Sequence, residues 1–126
     1  MLSNFPVHPT FPASDMDRAK KFYGETLGFE IADENPGGVI YKAGDTTFLV
    51  FPSKNAGSNT STYAGFDVDD VAAEVADLKK RGVEVLDYDT PELKTVDGVA
   101  DMGGAKAAWF KDSEGNTIGV VQMVNK

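Results

Sequence analysis

Hydrophobic positions change their period along this chain, and they do so in the same order twice. Phe5-Pro6-Val7-His8-Pro9-Thr10-Phe11 reads as a strand and Ser14-Asp15 as a helix start. Met16 to about Leu27 then reads as a helix with Ala19, Phe22, Tyr23 and Leu27 on one apolar stripe, and Gly28-Phe29-Glu30-Ile31 as a stop and a second strand. The order recurs as Thr62 to Val68, then Asp69-Asp70, then Val71 to about Arg81, then Gly82-Val83-Glu84-Val85, with Val71, Val75 and Leu78 as the stripe. A short carboxylate at Asp15, and at Asp69 or Asp70, accepts from the free N–H groups of a first helical turn. Gly28 and Gly82 suit the left-handed residue that ends a helix. Asp15 and Asp70 lie 55 residues apart and Gly28 and Gly82 lie 54 apart, so a one-residue indel superposes the two copies.

Each copy closes on two strand-like runs around a turn. Val39–Ala43 and Thr46–Phe51 flank Gly44-Asp45; Ala107–Lys111 and Thr117–Gln122 flank Asp112-Ser113-Glu114-Gly115-Asn116. The repeating unit is β-α-β-β-β. Residues 1–52 form the first module and 62–126 the second, and the polar stretch 53–61 is the linker between them. Asp87 to Gly104 is an insertion peculiar to the second copy, either a lid or a solvated excursion.

A length of 126 residues fits one domain built from both copies, residues 1–126, with no room for two independent cores. Charge narrows the partners. Twelve Lys+Arg against 20 Asp+Glu give a net charge of −8, which disfavours nucleic acid and anionic membranes and is compatible either with a cationic partner or with simple solubility. The excess sits in the second half, much of it in the insertion, where Asp87, Asp89, Glu92, Asp97 and Asp101 stand against Lys94. The absence of Cys excludes a disulfide scaffold, a thiolate metal site and a Cys nucleophile. No apolar run approaches the roughly 18–20 residues of a membrane span, and the first residues lack the basic and apolar regions of a signal peptide. A soluble cytoplasmic protein is expected. Gly37-Gly38 and Gly103-Gly104 lie outside any phosphate-binding context, and no serine sits in a nucleophile elbow.

Three segments carry a family resemblance. Pro12 to Tyr23, with Leu27-Gly28-Phe29 after it, resembles the first strand-to-helix signature of the vicinal oxygen chelate superfamily, the glyoxalase, bleomycin-resistance protein and dioxygenase family. Phe66 to Val71 resembles the second, and Phe110 to Ile118 resembles the final hairpin, usually F-x-D-P-D-G-N, with Ser113 in place of the proline. The fold this implies is α+β: two tandem βαβββ modules forming an open curved mixed sheet around a cleft, with the helices outside. Chains of this size in the family usually form homodimers that pair modules across two chains.

The resemblance also assigns metal-ligand positions. They fall on His8, Tyr63, Gly119 and, by the repeat alignment, Phe48. A single imidazole with a phenol, a glycine and no carboxylate does not make a divalent-metal site, so neither a metal nor another cofactor is expected. If these positions face the cleft, period-2 alternation gives a lining of His8, Thr10, Phe48, Tyr63, Trp109, Thr117, Gly119 and Val121, with Val7 and Phe11 packed on the helices. Such aromatic walls with a few polar handles suit a small molecule, or simply fill the concavity as core. The expected function is metal-independent small-molecule binding that sequesters a drug or metabolite, with a cationic or aromatic ligand suiting the acidic chain. The alternative is a lyase, isomerase or dioxygenase with an atypical site around His8 and Tyr63. No catalytic residue is assigned.

Overall fold

The computed structural model describes residues 1–123. After a short 3-10 turn at Leu2–Asn4, the first module runs β1 (Thr10–Ala13), α1 (Met16–Lys20) continued as a π-helix over Lys21–Thr26, β2 (Ile31–Asn35), β3 (Gly38–Ala43) and β4 (Thr46–Pro52). The second runs β5 (Gly65–Asp67), α2 (Val71–Lys80), β6 (Glu84–Val85), β7 (Ala100–Asp101), β8 (Ala105–Lys111) and β9 (Thr117–Met123). The sheets have matching orders, β1-β4-β3-β2 and β5-β9-β8-β6, with β7 added beside β8. In each the outer strands β1 and β5 lie parallel to β4 and β9, and the other pairings are antiparallel. The fold is thus α+β, with two open mixed sheets.

Local chemistry sets the helix ends. The Asp15 side chain accepts from the Arg18 amide at 3.1 Å and the Asp70 side chain from the Ala73 amide at 3.2 Å. Gly28 and Gly82 both stop their helices at φ +80°. The span from Asp15 to Gly28 is one residue longer than that from Asp70 to Gly82, and the first helix absorbs the extra residue by widening: Leu27 N donates to Phe22 O, five residues back, at 2.9 Å. The one-residue indel in the repeat is this π turn.

Two strand boundaries differ from the sequence expectation. The first strand begins at Thr10, not Phe5, because Pro6 and Pro9 have no N–H to pair with a neighbour. Val7, expected on the helix face, is 95% exposed. The second begins at Ile31, because Phe29 N still donates to Tyr23 O and finishes the helix stop. The insertion carries structure of its own. Asp87 Oδ1 accepts from Thr95 Oγ1 at 3.0 Å and Gly98 N at 2.9 Å, and Val96 bridges Val99 around Asp97 and Gly98, both at positive φ.

One core joins the modules. Phe11, Val50 and Val39 are cross-strand partners and each is about 1% exposed, and Phe66, Val120 and Ala108 form the corresponding file in the second sheet. Tyr23 packs among Phe11, Tyr41 and Phe48, and Phe29 stacks on Phe66 across the module boundary. The β8–β9 turn locks the halves together. Asp112 Oδ1 accepts from the amides of Glu114 and Asn116, and Asp112 Oδ2 accepts from Tyr23 OH at 2.6 Å and Asn116 Nδ2 at 2.8 Å. Asn116 also donates to the Pro12 carbonyl and accepts from Gly57 N. Glu114, with its side chain fully buried, takes Arg18 Nε at 2.7 Å, the Asp15 amide at 2.9 Å and the Ser113 hydroxyl at 2.9 Å.

Burial alone raises the Glu114 carboxyl, but the Arg18 hydrogen bond, the Asp15 amide, the Ser113 hydroxyl and the Arg18 charge outweigh it and bring the pKa down to about 2. A carboxyl lowered from 4.5 stabilises the fold above pH 4.5 and loses that contribution as the pH falls toward 2. The contribution is at most about 3 kcal/mol, less what solvent screens at half-exposed Arg18. Urea unfolding of the wild type should therefore weaken steeply between these pH values, and Glu114→Gln should be less stable at pH 7 with a flatter acid limb. Tyr23→Phe, which strips Asp112 of one donor, should cost about 1–3 kcal/mol at pH 7.

Candidate functional site

The face of the second sheet turned away from α2 is built around one cross-strand file, Gly65–Gly119–Trp109. Two glycines beside an indole leave the ring edge without neighbouring side chains from its own file. A Cβ at Gly119 would lie 3.6 Å from Trp109 Nε1 and 3.3 Å from Thr62 Cγ2, so Thr62, at the start of the second module, covers the glycine. Tyr88 of the insertion stands edge-on to the indole, centroids 5.4 Å apart and planes at 84°. Leu86 N donates to Trp109 O at 2.8 Å and holds the start of the insertion against β8. Thr117 and Val121 flank Gly119 on the same face, and the Thr117 hydroxyl is buried with no hydrogen-bond partner among the described residues.

The expected lining is thus divided. Trp109, Thr117, Gly119 and Val121 share this face, with the indole half-buried. Thr10 lies on the matching face of the first sheet, in file with Leu49 and Ile40. Phe48 does not. It is 2% exposed and stacks on Tyr41 beneath the first helix, at 5.4 Å. The register gives the reason: Thr10 stands 55 residues before Gly65, Thr10 pairs with Leu49 and Gly65 pairs with Gly119, so the equivalent of Gly119 is Leu49. Tyr63 is half-buried with its ring edge toward Phe11 at 6.4 Å, leaning on the core. His8 is exposed on the segment before β1 and makes no side-chain hydrogen bond among the described residues. Sequence reasoning missed Tyr88, Thr62 and Gly65; only Gly65 had a readable signal, an isolated glycine inside a strand.

This paired arrangement of helix-backed sheets over a repeat has known counterparts. The family model of the Glyoxalase/Bleomycin resistance protein/Dioxygenase superfamily matches residues 6–120. The chain belongs to that superfamily. Among solved structures it is similar to TnmS3, an antibiotic binding protein from Streptomyces sp. CB03234, at 29% identity, with 94% of this chain and 97% of that chain covered and a TM-score of 0.63. It shares its fold with the bleomycin resistance determinant encoded on the transposon Tn5, at 24% identity, 94% and 98% coverage and a TM-score of 0.72. The same holds for a glyoxalase family protein from Enterococcus faecalis, at 23% identity, 96% and 99% coverage and a TM-score of 0.72. No curated protein sequence matches the chain.

The metal site that this superfamily implies does not fit the residues present. Of its four positions one is an exposed imidazole, one a phenol leaning on Phe11, one a glycine and one the phenylalanine or leucine of β4. Among the described residues no three His, Cys, Asp or Glu side chains converge as a metal ion requires. What that face carries instead is aromatic, the half-buried indole with Tyr88 against it. Tyr88→Ala should uncover the indole, red-shift the emission of Trp109, the sole tryptophan, and raise its quenching by acrylamide; unchanged emission would separate Tyr88 from this wall.

Proposed function

We propose that this protein binds a small molecule without a metal ion, in the manner of the glyoxalase/bleomycin-resistance type, and sequesters a drug or metabolite in the cytoplasm as a homodimer. The observation that carries the reading is the Gly65–Gly119–Trp109 file with Tyr88 edge-on to the indole: an aromatic pair stands beside the position where a metal-dependent relative needs a carboxylate. A planar ligand laid against the indole exchanges water for ring contact. The antibiotic binding described for TnmS3 and the resistance described for the Tn5 protein support the ligand class. The net charge of −8 favours a cationic aromatic ligand and disfavours nucleic acid and anionic membranes, and no helix among the described residues is long and apolar enough to cross a membrane.

Homodimer formation is supported by the segment before β1, where Leu2, Phe5 and Val7 are exposed apolar side chains that a second copy would cover. The enzymatic alternative around His8 and Tyr63 draws no support from the geometry, since one side chain is in solvent and the other against the core. A thermal-shift screen of cationic and aromatic metabolites and antibiotics tests the reading. A hit should alter Trp109 fluorescence, and Trp109→Ala should weaken it about tenfold or more, the value of one lost stacking partner. Equal affinity in Trp109→Ala, or stoichiometric Zn, Ni, Mn or Fe in the purified protein, would overturn it.

A further inference from the structure

The helix-facing sides of the two modules are filled unequally. In the first, Phe11, Tyr23, Tyr41 and Phe48 close the space beneath the helix, each at most 2% exposed. The residues 55 positions on from Phe22 and Tyr23 are Asp77 and Leu78, so α2 places one leucine where the first helix places two rings in edge contact at 5.2 Å. A cavity of about 260 Å³ remains between Leu27 and Phe29 of the first module and Phe66, Val68 and Leu78 of the second. The stacked rings of Phe29 and Phe66, 5.7 Å apart, belong to its wall. Leu27, Phe29, Phe66 and Val68 all stay half-buried beside it, while Phe110 and Val120, which also line it, are sealed by the sheet.

Charge at the cavity is asymmetric. Arg81 is already engaged, with Nε on Asp77 Oδ2 at 3.0 Å and Nη1 on the Thr26 carbonyl at 2.9 Å, and it straps the end of α2 to the end of the first helix. That strap neutralises Asp77. Glu74, one turn earlier on α2, lines the same cavity and has no ion pair among the described residues.

We propose that this cavity is a second ligand site, separate from the Trp109 face, and that it takes a small aromatic cation of one or two rings. An enclosed apolar cavity of about 150 Å³ admits benzene, and the larger cavity here, open to solvent on one side, has room for a ring with its substituted ammonium group toward water and Glu74. The ring packs against Phe29 and Phe66, and the positive charge gains both from the aromatic faces and from Glu74. An anion would meet Glu74, with Arg81, the one cation lining the cavity among the described residues, already committed.

The probes are phenyltrimethylammonium, its neutral isostere tert-butylbenzene, and benzenesulfonate, titrated into the full chain and followed by amide NMR. Phenyltrimethylammonium should shift the amides of Leu27, Phe29, Phe66 and Val68, and Trp109→Ala should leave the affinity read at those four amides unchanged, whatever it does to shifts around Trp109. Glu74→Gln should weaken it about two- to fivefold, as for an exposed charge pair, without affecting tert-butylbenzene. Val68→Phe, which fills the space, should abolish binding of both. No shift at the cavity amides with either probe, equal binding of benzenesulfonate, or full affinity in a folded Val68→Phe protein would each overturn the proposal; Glu74→Gln, at the surface of α2, keeps the charge arm testable if Val68→Phe does not fold.

Discussion

A carboxylate withdrawn from water has to have its oxygens satisfied, and Asp112 draws its donors from both halves of the chain. Its own hairpin turn supplies two backbone amides and the Asn116 side chain, and the first helix supplies the Tyr23 hydroxyl from 89 residues away. Asn116 then passes the constraint on, to the Pro12 carbonyl of β1 and to the linker amide of Gly57. Burial, with the neighbouring Asp112 charge and hydrogen bond, pushes the Tyr23 phenol far above its ordinary pKa, which keeps it a donor at every accessible pH. Removing any member strands the others in a low-dielectric interior, so the turn cannot drift relative to the first module. The same turn sets the hairpin that carries Trp109 and Gly119.

That constraint also gives the π turn its setting. Tyr23 lies inside the widened segment, and its side chain has to contact Phe11, Tyr41 and Phe48 while its hydroxyl reaches Asp112. The second helix has no such double obligation. Leu78 only fills space, and α2 runs as a regular α-helix to its glycine. An extra residue in one copy of a repeat is thus expressed as a local change of helical pitch, and not as a longer loop.

What could be read from the sequence was what depends on near neighbours. Caps, glycine stops and hairpin turns are set within a few residues, and both copies matched them. The shared facing of Trp109, Thr117, Gly119 and Val121 followed because period 2 holds within a strand and transfers across one tight turn. Phe48 failed for the complementary reason: its facing was carried over from another copy, and a parity error of one residue moves a side chain to the opposite face. The actual register, Thr10 to Leu49, is set by packing between β1 and β4. Tyr88 lies in an insertion whose position depends on Asp87 and Thr95, and Thr62 in the irregular stretch before β5, so no local pattern announced them.

The sheet that carries Trp109 is held by backbone bonds and by the side chains of its helix-facing side. Around Gly65 and Gly119 the strands are joined by backbone groups: Tyr63 N to Thr117 O at 2.9 Å, Gly119 N to Ala64 O at 2.8 Å and Val68 N to Val121 O at 2.8 Å. These bonds extend the pairing of β5, only three residues long, in both directions. Glycine ordinarily weakens a strand through chain entropy and missing contacts. Here the core file on the other face, Phe66–Val120–Ala108, supplies the packing, and the hub at Asp112 supplies the orientation. The sheet therefore does not depend on a side chain at Gly119, where Thr62 covers the backbone instead. The consequence is a sheet whose packing is supplied by one face of two strands, while the Trp109 face is the one proposed above for a ligand.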